Sequence, residues 1–152
     1  MDPYIIISFY NFFIDITDNF YGKRPSHYLF TFRHLSNNQI KTLTYDDLEK
    51  IEELKELYID QNLLENIEDN AFARLKQLEI LNLGKNNLKQ INGIIFKSLR
   101  KLQILNLEKN AIASIDKDAF ASLKLLKILK LSENKLKEVP AAIASLNDLR
   151  EL

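Results

Sequence analysis

The chain has 152 residues, 46% of them apolar, and its 21 basic and 21 acidic side chains cancel to a formal net charge of zero. No global field therefore draws it to nucleic acid or an anionic membrane. The lack of cysteine removes disulfides, zinc–thiolate sites and thiol nucleophiles together. Three glycines and three prolines leave no flexible linker and no glycine-rich phosphate loop.

Neutrality conceals a polarity. Residues 1–70 carry 6 Lys/Arg against 13 Asp/Glu, and residues 71–152 carry 15 against 8. If the chain advances steadily along one axis, its two ends differ in charge and encounter with a charged partner depends on salt.

Residues 1–26 stand apart from the rest of the chain. Tyr4 to Ile16 is dense in aromatic and β-branched residues, which favours strand over helix. As a secretory signal it is poor, because Asp2 sits where a basic region belongs and no small-residue cleavage site comes after it. It is too short to span a membrane. The expectation is an N-terminal cap over the open end of a stack, with a degenerate signal as the alternative. Gly22, Lys23, Arg24 and Pro25 then make a turn.

From there the chain repeats every 24 residues. Leu75, Leu99 and Leu123 open three clear copies, followed in phase by Leu78, Leu102 and Leu126, by Leu81, Leu105 and Leu129, and by Leu83, Leu107 and Leu131. One step earlier, Ile51, Leu54, Leu57, Ile59, Asn62, Leu64, Ile67 and Phe72 fill the same slots. The first copy is weaker: Phe30, Leu35, Asn38, Ile40, Leu43 and Leu48 fit, while His27 and Arg33 replace leucines. The fifth runs one residue short, with Ile143 for Phe, and a sixth opens at Leu146 and Leu149 before the chain stops at Leu152. The repeats are set at about 27–50, 51–74, 75–98, 99–122 and 123–145, with 146–152 a partial sixth. A fixed period in the twenties means a solenoid, whose repeats touch only their neighbours.

Within each copy, x-L-x-L has the period of a strand buried on one face. The Asn just beyond it stands at a tight bend, where its amide can satisfy backbone groups that the turning chain leaves unpaired. Asn38, Asn62, Asn86, Asn110 and Asn134 should form a ladder inside the solenoid. Phe72, Phe96 and Phe120 should form a second spine. Short helical turns precede each Phe: Thr44 with Asp47 has capping-box spacing, Asp116 and Asp118 precede Ala119, and Pro140 suits a first helical position.

The motif L-x-x-L-x-x-L-x-L-x-x-N-x-L-x-x-I-x-x-x-x-F-x-x-L resembles the typical class of leucine-rich repeat proteins, over about residues 27–152. The resemblance implies an α/β solenoid: a curved right-handed superhelix with a concave parallel β-sheet and short helical or irregular convex segments. It also implies protein binding through variable residues of the concave strands. D-N-A-F-A-R-L and D-K-D-A-F-A-S-L are similar to extracellular members, which usually carry cysteine-rich caps that this chain lacks. V-P-A-A-I-A-S-L is similar to intracellular ones. Absent cysteine favours a reducing, cytoplasmic compartment; the repeat class admits an extracellular one.

The two variable positions of x-L-x-L are the candidate partner-binding set. The first reads Phe32, Glu56, Ile80, Ile104, Ile128 and the second His34, Tyr58, Asn82, Asn106, Lys130. Three isoleucines on strands roughly 5 Å apart make an apolar stripe with a polar rim. Lateral packing between strands would explain the same isoleucines. Tyr58 is the best single anchor. Arg74, Lys76, Lys97, Arg100, Lys101 and Lys124 form a basic flank without interleaved aromatics, which reads as a solvated face rather than a nucleic-acid site.

Catalysis has little to work with. His27 and His34 match no metal-pair spacing, G-x-S-x-G, P-loop and G-x-G-x-x-G are all missing, and Asp46-Asp47 and Glu52-Glu53 need not converge. The expectation is a protein–protein interaction module without metal, cofactor or reaction. The alternative is the recognition fragment of a larger receptor or enzyme. The apolar L-x-x-L-x-x-L at the C-terminus also suits a homodimer formed through that end.

Overall fold

The computed structural model describes residues 31–48 and 51–152. The expected cap over residues 1–26, and His27, lie outside the described residues. Among the described residues nine short strands occur in order: β1 Phe32–His34, β2 Thr42–Leu43, β3 Glu56–Tyr58, β4 Asn66–Ile67, β5 Ile80–Asn82, β6 Gln90–Ile91, β7 Ile104–Asn106, β8 Ser114–Ile115 and β9 Ile128–Lys130. The odd-numbered strands form one parallel sheet in the order β1-β3-β5-β7-β9. Each residue pairs with the one 24 places on, as in Leu57↔Leu81 and Leu81↔Leu105. The sequence period is thus the sheet register itself.

From β3 onward each strand of this sheet is buried only at its middle residue. Leu57, Leu81, Leu105 and Leu129 are fully enclosed there, with Leu54, Leu78, Leu102 and Leu126 beneath them. Each such leucine contributes roughly 1.5–3 kcal/mol by leaving water. Arg33 takes this inward slot in β1, with its Nε buried and its Nη1 donating to the Asp47 carbonyl at 3.3 Å.

After each strand the chain turns through a residue in the left-handed region: Asn37, Gln61, Lys85, Lys109 and Glu133, at φ of 54–60°. None of these is glycine, and L-residues resist this conformation by about 1–2 kcal/mol. The ladder Asn one place on compensates. Asn86 Nδ2 donates to the Leu83 and Gly84 carbonyls of its own turn and to the Ile59 carbonyl of the turn before, while its Oδ1 accepts the Leu64 N–H at 3.0 Å. Asn62, Asn110 and Asn134 repeat the pattern, so each bend is tied to its neighbour by one amide. Among the described residues Asn38 makes its own-turn bonds, to Leu35 and Ser36.

Opposite the sheet, Phe72, Phe96 and Phe120 stack almost fully buried, with ring centroids 6.1 and 6.3 Å apart. Hydrogen-bonded strands lie about 4.8 Å apart. The stack is therefore tighter along the sheet than along the phenylalanines, which bends it with the sheet on the inside.

The connections are less helical than expected. Among the described residues there is no α-helix, only two 3-10 segments, Asp46–Leu48 and Ala141–Ser145. Two-residue strands pair β2 with β4 and β6 with β8, and turns make up most of the remaining path. Asp47 Oδ2 accepts from both the N–H and the hydroxyl of Thr44, which is the carboxylate half of the expected capping box. Pro140 sits one place outside its segment, at the cap position, with φ −62° and ψ 133°. The short connection has room for only one turn before the next leucine. Beyond β9, Ile128 bridges in parallel to Glu151, so the sheet ladder continues into the sixth copy.

Candidate interaction surface

The sheet brings the two candidate columns together. Phe32, Glu56, Ile80, Ile104 and Ile128 stand in direct register, as do His34, Tyr58, Asn82, Asn106 and Lys130. From β3 to β9 these outward residues are half-buried, because neighbouring strands crowd them laterally. Phe32 is 50% exposed, well above the isoleucines that continue its column.

An aromatic cluster occupies the β1–β3 end. The His34 ring lies flat on Tyr58, 4.5 Å between centroids and 4° from parallel, and Phe32 meets His34 edge-on at 5.8 Å. The Tyr58 hydroxyl donates to Glu56 Oε2 at 2.9 Å. Burial, then that hydrogen bond and the charges of Glu56 and Asp60, push the Tyr58 phenol above its ordinary range. The hydroxyl is thereby held as a donor. Next come Ile80, Ile104 and Ile128, one apolar stripe across three strands.

Two more columns border this stripe, and the x-L-x-L reading missed both. On the N-terminal side of the strands, Lys55, Glu79, Gln103 and Lys127 form a side-chain chain: Lys55–Glu79 at 3.5 Å, Gln103–Glu79 at 3.4 Å and Lys127–Gln103 at 2.7 Å. On the other side run Ser36, Asp60, Gly84, Glu108 and Ser132. Ser36 donates to Asp60 at 2.6 Å, and Ser132 donates to Glu108. The signal was present, since both columns hold the same 24-residue phase one position outside the motif's strand.

The basic flank is unevenly engaged. Arg74 bonds Glu52 at 2.7 Å, bonds the Tyr45 hydroxyl and lies over the Tyr45 ring at 5.2 Å. Lys101 reaches Gln77, and Lys124 reaches the Ser145 carbonyl at 3.4 Å. Lys76, Arg100 and Lys124 fall on equivalent positions of successive turns and are exposed. Among the described residues no group of three His, Asp or Glu side chains is arranged to hold a metal ion. No helix among them is long and apolar enough to cross a membrane.

The family model for leucine rich repeats matches residues 52–112 and 100–152, and the chain belongs to that family. Among solved structures it is similar to a chain of the Toll–Spatzle complex of Drosophila, described as a molecular hub in development and innate immunity. That match has 33% identity over 72% of this chain and a TM-score of 0.67. The glycosylated form of the same complex matches over 80% of this chain at 27% identity and a TM-score of 0.72. The chain spans only 15% and 18% of the length of those two chains. No curated protein matches it.

Proposed function

We propose that this solenoid is a protein-binding module whose partner seats on the inner sheet face, across the candidate columns from Phe32 and His34 to Ile128 and Lys130. One observation carries the reading. A continuous Ile80–Ile104–Ile128 stripe, ended by the Phe32–His34–Tyr58 cluster, stands on strands that are locked in register. Such a face presents apolar area at little ordering cost, because the backbone beneath is already hydrogen bonded and the bordering polar residues hold one another. No reaction or cofactor belongs to this reading.

A photo-crosslinking residue in place of Asn82 or Asn106, compared with one in place of Lys97, tests it. Protein adducts from the sheet positions and none from Lys97 are the expected result. Adducts from Lys97 alone would move the function to the opposite side.

A second reading is favoured by the likeness to the Toll–Spatzle complex. In it these repeats form a stretch of receptor-like, ligand-recognising solenoid within a longer chain. Both readings use the same face and differ in what the repeats are attached to. Sequencing of the full-length transcript separates them.

A further inference from the structure

The row Asn82, Asn106, Lys130 is polarised in one direction. Asn82 Oδ1 accepts the Gly84 N–H at 3.1 Å, and Asn106 Oδ1 accepts the Glu108 N–H at 2.9 Å. A backbone N–H can bond only to the amide oxygen, so both Nδ2 groups are turned outward. Neither Nδ2 nor the Lys130 ammonium has a hydrogen-bond or ion-pair partner among the described residues. Neither Nδ2 is among the buried atoms left without a partner, so both reach solvent. Two neutral donors and a cation thus stand in register on three adjacent strands, directly beside Ile80, Ile104 and Ile128.

The neighbouring column keeps this row open. Gly84 places no side chain beside it; a Cβ there would lie 3.1 Å from Asn106 Nδ2 and 3.2 Å from Asn82 Oδ1. Glu108, the acid of that column nearest the row, is engaged by Ser132 one turn on. The row itself thus carries no carboxylate, and Lys130 is its one charged member, with Glu108 in the neighbouring column and Glu151 beyond Ile128 as the nearest acids.

We infer that the partner presents an acidic–aliphatic segment, with Asp or Glu carboxylates on Asn82, Asn106 and Lys130 and aliphatic side chains on the isoleucine stripe. This rests on the sheet-face reading above and adds the chemistry of what binds there. Carboxylates match because they accept from several donors at once, and charge-assisted bonds of this kind are roughly twice as strong as neutral ones.

A library of random peptides displayed on phage and selected against the whole chain is the probe. Enrichment of peptides in which Asp or Glu adjoins Leu, Ile or Val is expected. Asn82→Asp with Asn106→Asp keeps the oxygens that hold the Gly84 and Glu108 N–H groups and exchanges the outward donors for charged oxygens that repel a carboxylate. That pair of changes should weaken the selected peptides at least tenfold, Lys130→Glu should do the same, and Lys97→Glu should change nothing. Peptides without acids, or acidic peptides indifferent to the Asn→Asp pair and Lys130→Glu but lost with Ile104→Glu, would overturn this inference and leave the sheet-face function standing. Peptides lost only with Lys97→Glu would overturn both, and a selection that enriches nothing overturns this inference.

Discussion

Asn110 Nδ2 donates to the carbonyl of Leu83, 27 residues back, at 3.0 Å. The same nitrogen holds Leu107 and Glu108 of its own bend, and Oδ1 holds the Leu88 N–H. A single amide thus serves two turns. Asn110→Leu keeps the branched shape and strips four backbone groups of their partner. Unsatisfied buried groups cost about 1–3 kcal/mol each, and water recovers part of that at this half-buried site. A loss of about 2–4 kcal/mol is expected in urea unfolding, with Asn86→Leu worse because Asn86 is buried, and Asn38→Leu mildest because its bonds among the described residues stay within one turn. Equal effects at all three sites would contradict the inter-turn role.

Lys85 stands at φ 54° and donates its N–H to the Glu108 carbonyl at 2.8 Å. Proline can supply neither that φ nor that donor, so Lys85→Pro should cost about 3 kcal/mol or more. Lys85→Asn tolerates the left-handed region and should be neutral or stabilising by up to about 1 kcal/mol. In thermal melts the Lys85→Pro midpoint should fall while that of Lys85→Asn holds or rises.

Phe96 lies between Phe72 and Phe120 and is fully buried. Phe96→Ala opens a cavity facing both neighbours and should cost about 3–5 kcal/mol, measured by the shift of the urea midpoint. Phe96→Leu should cost clearly less. Because each turn contacts only its neighbours, the alanine variant should also make the transition less cooperative.

The Tyr58 phenol, raised above 10.0 first by burial and then by Glu56 and Asp60, should ionise above the ordinary tyrosine range. Its folded value lies above its unfolded one, so its contribution to stability is complete below about pH 10 and is lost as pH rises through the folded value. Ultraviolet difference titration against Tyr58→Phe should show a late step. Glu56→Gln should bring that step down part of the way, and no shift would mean that burial acts alone. A double-mutant cycle between His34 and Tyr58 should return about 0.5–1.5 kcal/mol for the stacked rings.

Much of this was legible in the residues, and the reasons differ by position. The leucines and the ladder asparagines recur every 24 residues because a stack imposes one environment per turn, so their burial and bonds could be foreseen. Arg33 broke the pattern, and its reach to the Asp47 carbonyl depends on a neighbouring segment that no period encodes. The left-handed residues carry no signal of their own: Asn37, Gln61, Lys85, Lys109 and Glu133 share a backbone angle but not a side chain.

The sequence by itself determined the repeat, the strand register, the inward leucines, the ladder and the phenylalanine spine, since each is a periodic response to burial. Tertiary structure decided how the outward residues use one another. Neighbouring turns place Lys55, Glu79, Gln103 and Lys127 in one chain, lay His34 on Tyr58, and turn the oxygens of Asn82 and Asn106 to the backbone, leaving their nitrogens to solvent. The physical reason is that burial is a property each residue carries into every turn. A hydrogen bond between turns exists only when two particular side chains have been brought within about 3 Å.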